Sequence, residues 1–181
     1  MQNIDLDNVE IIGERLLMYL NHMEAEETLP VLRKYHIEEN VDPNRWYPAK
    51  PILDFLWEVA TGPNAMYNLV SIGIEAARML QFPPELEGIS LEAFLTNILP
   101  PTYVSFFRGG YVGYLKCERV TEHHIKMICV TPLPDDGWYG TVFGLAQRLL
   151  PHGTRFTVEY DNQAARHDFG GDETIIHVKW E

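Results

Sequence analysis

Apolar residues in the first half of the chain recur three or four residues apart, the spacing of a helix with one buried side. The pattern predicts four helices, over residues 9–20, 29–35, 48–61 and 64–80. Pro48 or Pro51 lies in the first turn of the third helix, where a missing N–H costs nothing. A turn-rich loop over residues 40–51 leads into that helix.

Residues 97–117, NILPPTYVSFFRGGYVGYLKC, join the two halves of the chain. Ser90 is predicted to cap a helix that runs to Leu99, where two prolines break the pattern. A short aromatic helix should follow, ended by Gly109-Gly110. The residues expected to share one face of it are Tyr103, Phe106 and Phe107.

From Tyr111 onward the apolar period changes to two, which is typical of strands. A hairpin is predicted with its tip at residues 122–124, and a three-residue loop there would place Cys117 opposite Cys129. A four-residue loop would break that match. The chain should continue with a helix over 139–153 and strands over 154–162 and 174–181.

These elements predict an α+β fold. An N-terminal helical subregion would pack on an antiparallel four-stranded sheet of order β-β-α-β-β. No internal repeat, low-complexity tract or flexible linker interrupts the 181 residues, so a single domain is predicted. Its helical subregion covers residues 1–89, and the helix plus β-β-α-β-β subregion covers 90–181.

Composition narrows the function classes. The chain is 46% hydrophobic with a net charge of −12, which disfavours nucleic acid and anionic membranes as partners. No apolar stretch reaches the length of a membrane span, and the first residues lack the features of a signal peptide. Two cysteines fit a reducing compartment, so a cytoplasmic location is expected.

No pattern of catalytic or metal-binding residues stands out. The glycines of residues 109–113 lack the spacing of a phosphate-binding loop, and the three serines have no neighbouring histidine. His123, His124 and His177 are predicted to face solvent, as is the acidic loop near residue 170. We therefore predict no catalytic residues and no metal site.

Aromatic residues are concentrated between positions 46 and 107. Most aromatic residues in helices belong to a plain core, but a ligand cavity between the helices and the sheet would use the same residues. Tyr and Trp would add polar groups to its wall. The candidate ligand-binding residues are Trp46, Tyr47, Trp57, Tyr67, Tyr103, Phe106, Phe107 and Arg108. Arg108 would anchor a carboxylate.

Residues 90–110, 113–138, 139–161 and 175–180 together resemble one superfamily. It unites the haem-nitric-oxide/oxygen binding (H-NOX) domains, the 4-vinyl reductase domains and the TRAPP vesicle-tethering subunits. Over residues 1–89 only the helical character and the length agree. The resemblance implies an H-NOX-like α+β fold that places a small hydrophobic molecule, or a packed apolar plug, between helices and sheet.

The resemblance also implies where haem would be held: by a histidine after the helix equivalent to residues 90–98, and by a Tyr-x-Ser-x-Arg motif after the hairpin. Here residues 99–102 read LPPT, and no histidine lies between His36 and His123. Residues 129–133 read CVTPL, and the similar stretch from Tyr103 to Arg108 has its arginine one place too late. We therefore expect no cofactor, and haem in particular to be absent.

The leading hypothesis is a haem-free sensor or signalling domain for a small apolar or aromatic ligand. Two alternatives stay open. One is an enzyme or accessory protein of tetrapyrrole chemistry like the 4-vinyl reductase domains. The other is an interaction module that forms homodimers or docks a signalling partner.

Overall fold

The computed structural model describes residues 4–21, 25–61 and 65–181. The elements are β1 (Glu10–Ile12), α1 (Gly13–Leu20), α2 (Ala25–Lys34), β2 (Trp46–Pro48), α3 (Ala49–Ala60), α4 (Ala65–Met79), α5 (Leu91–Ala93), α6 (Leu99–Ser105), β3 (Phe107–Arg108), β4 (Tyr114–Thr121), β5 (His124–Val130), α7 (Asp135–Leu149), β6 (Phe156–Tyr160) and β7 (Thr174–Trp180). Short 3-10 turns lie at Pro84–Leu86 and His167–Phe169. Four helices lie where the periodicity of the first half predicts them, although α1 begins only at Gly13 and α2 already at Ala25.

A four-stranded antiparallel sheet has the spatial order β4-β5-β7-β6. One face carries the alternate apolar residues of each strand, among them Met127 and Ile176, which are both fully buried. Helix α7 packs on this face, where Tyr139 donates a hydrogen bond to the Val158 carbonyl at 2.9 Å. The predicted α+β class is therefore confirmed.

The hairpin of β4 and β5 has a different register from the predicted one. Cys117 lies opposite Met127, and Cys129 lies opposite Leu115. The loop between the strands is shorter than the three residues expected, and the pairing shifts between Arg119 and Thr121. A bulge of this kind changes which residues face each other, and alternation alone cannot reveal it. The two thiols are therefore not directly opposite each other but lie on a diagonal.

A second, three-stranded antiparallel sheet of order β2-β1-β3 was not predicted. Residues 10–12 were expected to be helical, but they pair with both Trp46–Pro48 and Phe107–Arg108. Each strand is only two or three residues long, which is too short to show an alternating pattern. Distant pairing across the chain therefore overrides the local signal.

The segment from residue 91 to residue 105 remains helical across its two prolines. Phe94–Ile98 form a π-turn in which the Leu99 N–H bonds to the Phe94 carbonyl, five residues back. Pro100 and Pro101 have no N–H to donate to carbonyls four residues earlier, so a wider turn accommodates them. The prolines therefore widen the helix rather than break it, and the aromatic helix ends before Phe107, which belongs to β3.

Helices α4 and α7 lie in direct backbone contact. A Cβ atom added at Gly140 would come within 2.1 Å of the Val70 carbonyl oxygen, and one at Gly73 within 2.3 Å of the Gly137 carbonyl oxygen. Side chains at these positions would force the helices apart. The contact joins the helical half to the helix that covers the sheet.

Within the described ranges, no helix has both the length and the apolar character needed to cross a membrane.

Replacement of Gly140 by alanine should destabilise the protein, because its new Cβ would overlap the Val70 carbonyl. We expect a loss of about 2 kcal/mol in the free energy of unfolding, the usual scale of overpacking. Gly137→Ala in the same helix is the matched control, since its Cβ meets nothing within 4 Å and alanine favours helix by about 1 kcal/mol. Urea unfolding followed by circular dichroism measures both. Equal effects of the two changes would show that the helices are not in tight contact.

Candidate functional site

Two small apolar pockets lie side by side between the helices. The first is lined by residues of α1, α3, α4, α7 and the two residues before α7: Arg15, Met18, Tyr19, Leu56, Leu69, Ile72, Gly73, Ala76, Leu133, Pro134, Gly137, Trp138 and Thr141. The second reaches toward α5 and α6 and is lined by Arg15, Ala76, Leu80, Phe94, Leu99, Thr102, Tyr103, Phe106, Trp138 and Thr141. Each holds about 20 Å³ of free space, roughly the room that one water molecule needs.

Four residues line both pockets: Arg15, Ala76, Trp138 and Thr141. Arg15 is the only charged one of the four. Its guanidinium lies over the rings of Tyr19 and Phe106, at 5.1 Å and 4.8 Å from their centroids. The junction of the two pockets is therefore apolar with one cation held against aromatic faces.

The polar groups of the buried aromatic residues are satisfied by the protein itself. Trp138 donates its indole N–H to the Thr131 hydroxyl at 2.9 Å. Tyr103 donates its hydroxyl to the Val112 carbonyl, and its ring meets that of Trp138 edge to face at 5.3 Å. Burial is the main cause that raises the pKa of Tyr103. This tyrosine is therefore a neutral, fixed part of the wall.

Of the residues proposed from the sequence, Tyr103 and Phe106 lie on the wall of the second pocket. The ring of Phe107 packs against that of Tyr103 at 5.5 Å, behind the wall. Trp57 donates its indole N–H to the Pro132 carbonyl at 2.9 Å. The side chain of Tyr67 lies outside the described residues.

Trp46, Tyr47 and Arg108 lie together at the three-stranded sheet, away from both pockets. Arg108 is stacked on Trp46 at 4.6 Å and paired with Glu10 at 2.5 Å. The carboxylate of Glu10 thus already occupies the predicted anchor. The arginine that lies at the pockets is Arg15. It belongs to a helical segment without a motif, so the sequence did not indicate it as a binding residue.

The two cysteines are free thiols in the sheet, Cys129 buried and Cys117 partly so. Burial raises the pKa of Cys117 to about 12. A protonated thiol is a poor nucleophile and a poor metal ligand. Within the described part of the chain, no group of three or more histidine, cysteine, aspartate or glutamate residues is arranged to hold a metal ion.

A buried carboxyl pair at the start of α7 was missed by sequence reasoning. Asp135 was assigned to a loop, but it is the first residue of α7 and only 2% exposed. Its backbone N–H donates to the Asp168 carboxyl at 2.8 Å, and its own carboxyl accepts from the Asp168 N–H at 3.1 Å. It also accepts from the Thr174 hydroxyl at 2.6 Å. The loop from residue 161 to 173 is thereby attached to the helix end that lines the first pocket.

A chain of titratable groups crosses the outer face of the four-stranded sheet. His124 lies 2.9 Å from His177 between ring nitrogens, and His177 lies 3.0 Å from the Asp161 carboxylate. Desolvation is the first cause that lowers the pKa of His124, followed by the charge of His177. His177 was predicted to face solvent, but its side chain is 18% exposed. It lies on the polar face, as its alternation indicated, but is covered by its neighbours.

Comparison with solved structures shows that the chain has the fold of H-NOX domains. A point mutant of the T. Tengcongensis H-NOX has a TM-score of 0.69 at 16% identity, over 93% of this chain and 94% of that one. An oxygen-binding H-NOX domain related to soluble guanylate cyclases, solved as an oxygen complex, has a TM-score of 0.66 at 16% identity, over 93% of this chain and 92% of that one. A structure described as probing haem distortion in the H-NOX family has a TM-score of 0.69 at 16% identity, over 93% of this chain and 92% of that one. No family model and no curated protein sequence matches the chain.

The expectation that the chain has no cofactor is contradicted by these likenesses. The similar structures are H-NOX domains, and one is described by the distortion of its haem. The expectation depended on one missing histidine and one missing motif. Haem iron in proteins is also held by tyrosine or methionine, so those two absences do not exclude the group.

The residues at the pockets offer donors for haem but little space. Met18, Tyr19 and Tyr103 line the pockets, and no histidine of the described ranges does. At about 20 Å³ each, the pockets are much smaller than a porphyrin. Haem therefore does not fit between the helices in the arrangement that the structure shows, and its binding would require helices to separate.

The carboxyl pair at α7 should make stability depend on pH. Burial, and next the charge of Asp135, raise the pKa of Asp168 to about 7. Because the folded pKa lies above the ordinary value, the stabilisation is complete below about pH 4 and is lost as the pH rises through about 7. From pH 5 to pH 8.5 we expect a loss of roughly 1–2 kcal/mol, with allowance for solvent screening.

Urea unfolding at the two pH values measures this loss. Asp168→Asn keeps an acceptor oxygen but cannot ionise, so most of the dependence should disappear. Asp7→Asn, at an exposed position, should leave it unchanged. An Asp168→Asn protein with the full pH dependence would contradict the assignment.

Proposed function

We propose that this protein is a ligand-binding sensor domain and that its ligand occupies the joined space of the two pockets. The observation that carries the proposal is the meeting of two apolar pockets at Arg15, Ala76, Trp138 and Thr141. A space lined by apolar and aromatic groups with one charged group is typical of small-molecule sites. The H-NOX fold, which includes a structure described as an oxygen-binding domain, supports the same role.

Ligand binding must enlarge the pockets, because each now has room for about one water molecule. A ligand can stabilise a more open state that is rarely populated without it. Such a change is what a sensor requires, since a ligand that leaves every wall in place sends no signal. The small size of the pockets is therefore compatible with sensing, provided that a wall can move.

Helix α7 offers a route for the signal. Trp138 and Gly137 line the first pocket, and Asp135 in the same turn region is attached to Asp168 in the loop 161–173. A ligand that shifts Trp138 would act on this attachment directly, because residues three apart lie on the same side of a helix. The loop is thus the element that would report an occupied pocket.

A binding role is better supported than catalysis. Within the described ranges, the residues that line the two pockets include neither a carboxylate nor a histidine. General acid–base chemistry uses such groups most often. Haem is the first ligand to test because of the structural neighbours, and smaller aromatic molecules are the next.

A side chain that fills the junction should block binding. Ala76 lines both pockets and is 4% exposed, so Ala76→Met should weaken binding at least tenfold by occupying the space. We would titrate the protein with haemin, followed by Soret absorbance, and with 3-phenylpropionate, followed by NMR shifts. Ser71→Met, at an exposed position of the same helix, is the matched control. If neither molecule binds the unmodified protein, or if both variants bind equally well, the site is wrong.

A further inference from the structure

We propose that Arg15 binds the acid group of the ligand, which makes apolar carboxylates the ligand class of this domain. The inference rests on the proposed function and specifies its chemistry. It also moves the carboxylate anchor from Arg108, which Glu10 already neutralises, to the arginine at the pocket junction.

The hydrogen-bonding capacity of Arg15 is only partly used. Its Nε–H donates to the Tyr19 hydroxyl at 3.2 Å, and Nη1 donates to the Met18 sulfur at 2.9 Å. A guanidinium has five N–H donors, and a thioether is a weak acceptor. Among the described residues no acceptor meets the two hydrogens of Nη2. The hydrogens of Nη2 and the second hydrogen of Nη1 are therefore available for a carboxylate, which arginine can bind through two parallel bonds.

Within the described residues Arg15 has no carboxylate beside it, whereas most arginines of the chain do. Acidic residues number 26 against 14 basic ones, and six other arginines are paired with an Asp or Glu: Arg33, Arg45, Arg78, Arg108, Arg119 and Arg166. Arg15 is half-buried and lies between aromatic rings instead. A partly desolvated charge gains most from an anion that arrives with the ligand.

Tyr19 provides a second donor at the same place. It is 7% exposed and lines the first pocket, and its hydroxyl oxygen accepts from Arg15. Among the described residues no acceptor takes the O–H of this tyrosine, so it is available to donate to a carboxylate oxygen. The apolar body of the ligand would lie against Ala76 and Trp138, which line both pockets. Acid group and apolar body thus have separate places in one site.

The experiment compares 3-phenylpropionate with its neutral amide, 3-phenylpropionamide, in NMR titrations of the full chain. We expect the acid to bind the unmodified protein at least tenfold more tightly than the amide. In Arg15→Met, which keeps an apolar stem and removes the charge, the ratio should fall to about one. Arg15→Lys should restore part of the preference. The control is Arg108→Met, which removes an arginine stacked on an aromatic ring outside the pockets and should leave the ratio unchanged.

The outcomes separate the two proposals. If acid and amide bind the unmodified protein equally, and Ala76→Met weakens both, the pocket is correct and the role of Arg15 is wrong. An equal loss of the preference in Arg108→Met would also overturn it, because the effect would then follow overall charge. If neither compound binds, the role of Arg15 is wrong, and the proposed site itself fails if haemin does not bind either.

Discussion

The close approach of α4 and α7 is the contact on which the rest of the structure depends. Backbone atoms meet where Gly73 and Gly140 lack side chains, so the two helices lie closer than larger residues would allow. Helix α7 also packs on the four-stranded sheet through Tyr139. One pair of glycines therefore sets the distance between the helical half and the sheet, and with it the small volume left between them.

Within that narrow space, nearly every polar group has a partner in the protein. The indole of Trp138 and the hydroxyl of Tyr103 are both bonded to neighbouring groups, so neither is available to select a ligand. Arg15 differs because its strongest possible partner, a carboxylate, is missing from the described surroundings. Where an apolar wall surrounds one incompletely bonded cation, the shape of the wall determines what can enter, and the cation determines which end of the molecule is held.

Sequence reasoning succeeded where structure is determined locally. The 3.6-residue period located α3 and α4 within a residue or two, and alternation located the strands of the larger sheet. It failed where contacts between residues far apart in the chain determine the structure. The three-residue strands at Glu10–Ile12 and Trp46–Pro48 exist only because they pair with each other, and α7 begins at Asp135 where the Asp168 carboxyl accepts its first N–H.

At the candidate site, too, sequence reasoning found the residues with a local signal and missed the one that only the fold brings there. Tyr103 and Phe106 were noted because aromatic residues cluster in the sequence, and both lie at the second pocket. Arg108 was noted because it follows them, but strand pairing carries it to Glu10. Arg15 precedes Tyr103 by more than 80 residues in the chain. Only the tertiary fold brings it to the aromatic wall, so no local motif could have identified it.

The fold also limits which walls could move to admit a ligand. The α4–α7 contact cannot loosen without loss of the packing that joins the two halves. The opposite walls are α1 and the segment 91–105, whose π-turn at Phe94–Ile98 already departs from regular helix. Turns of this type are frequent at functional sites, and the Ile12 N–H bonds the Phe106 carbonyl at 3.0 Å just beyond both walls. An enlarged pocket would therefore come from α1 and this segment moving together, which would carry Arg15 with its ligand.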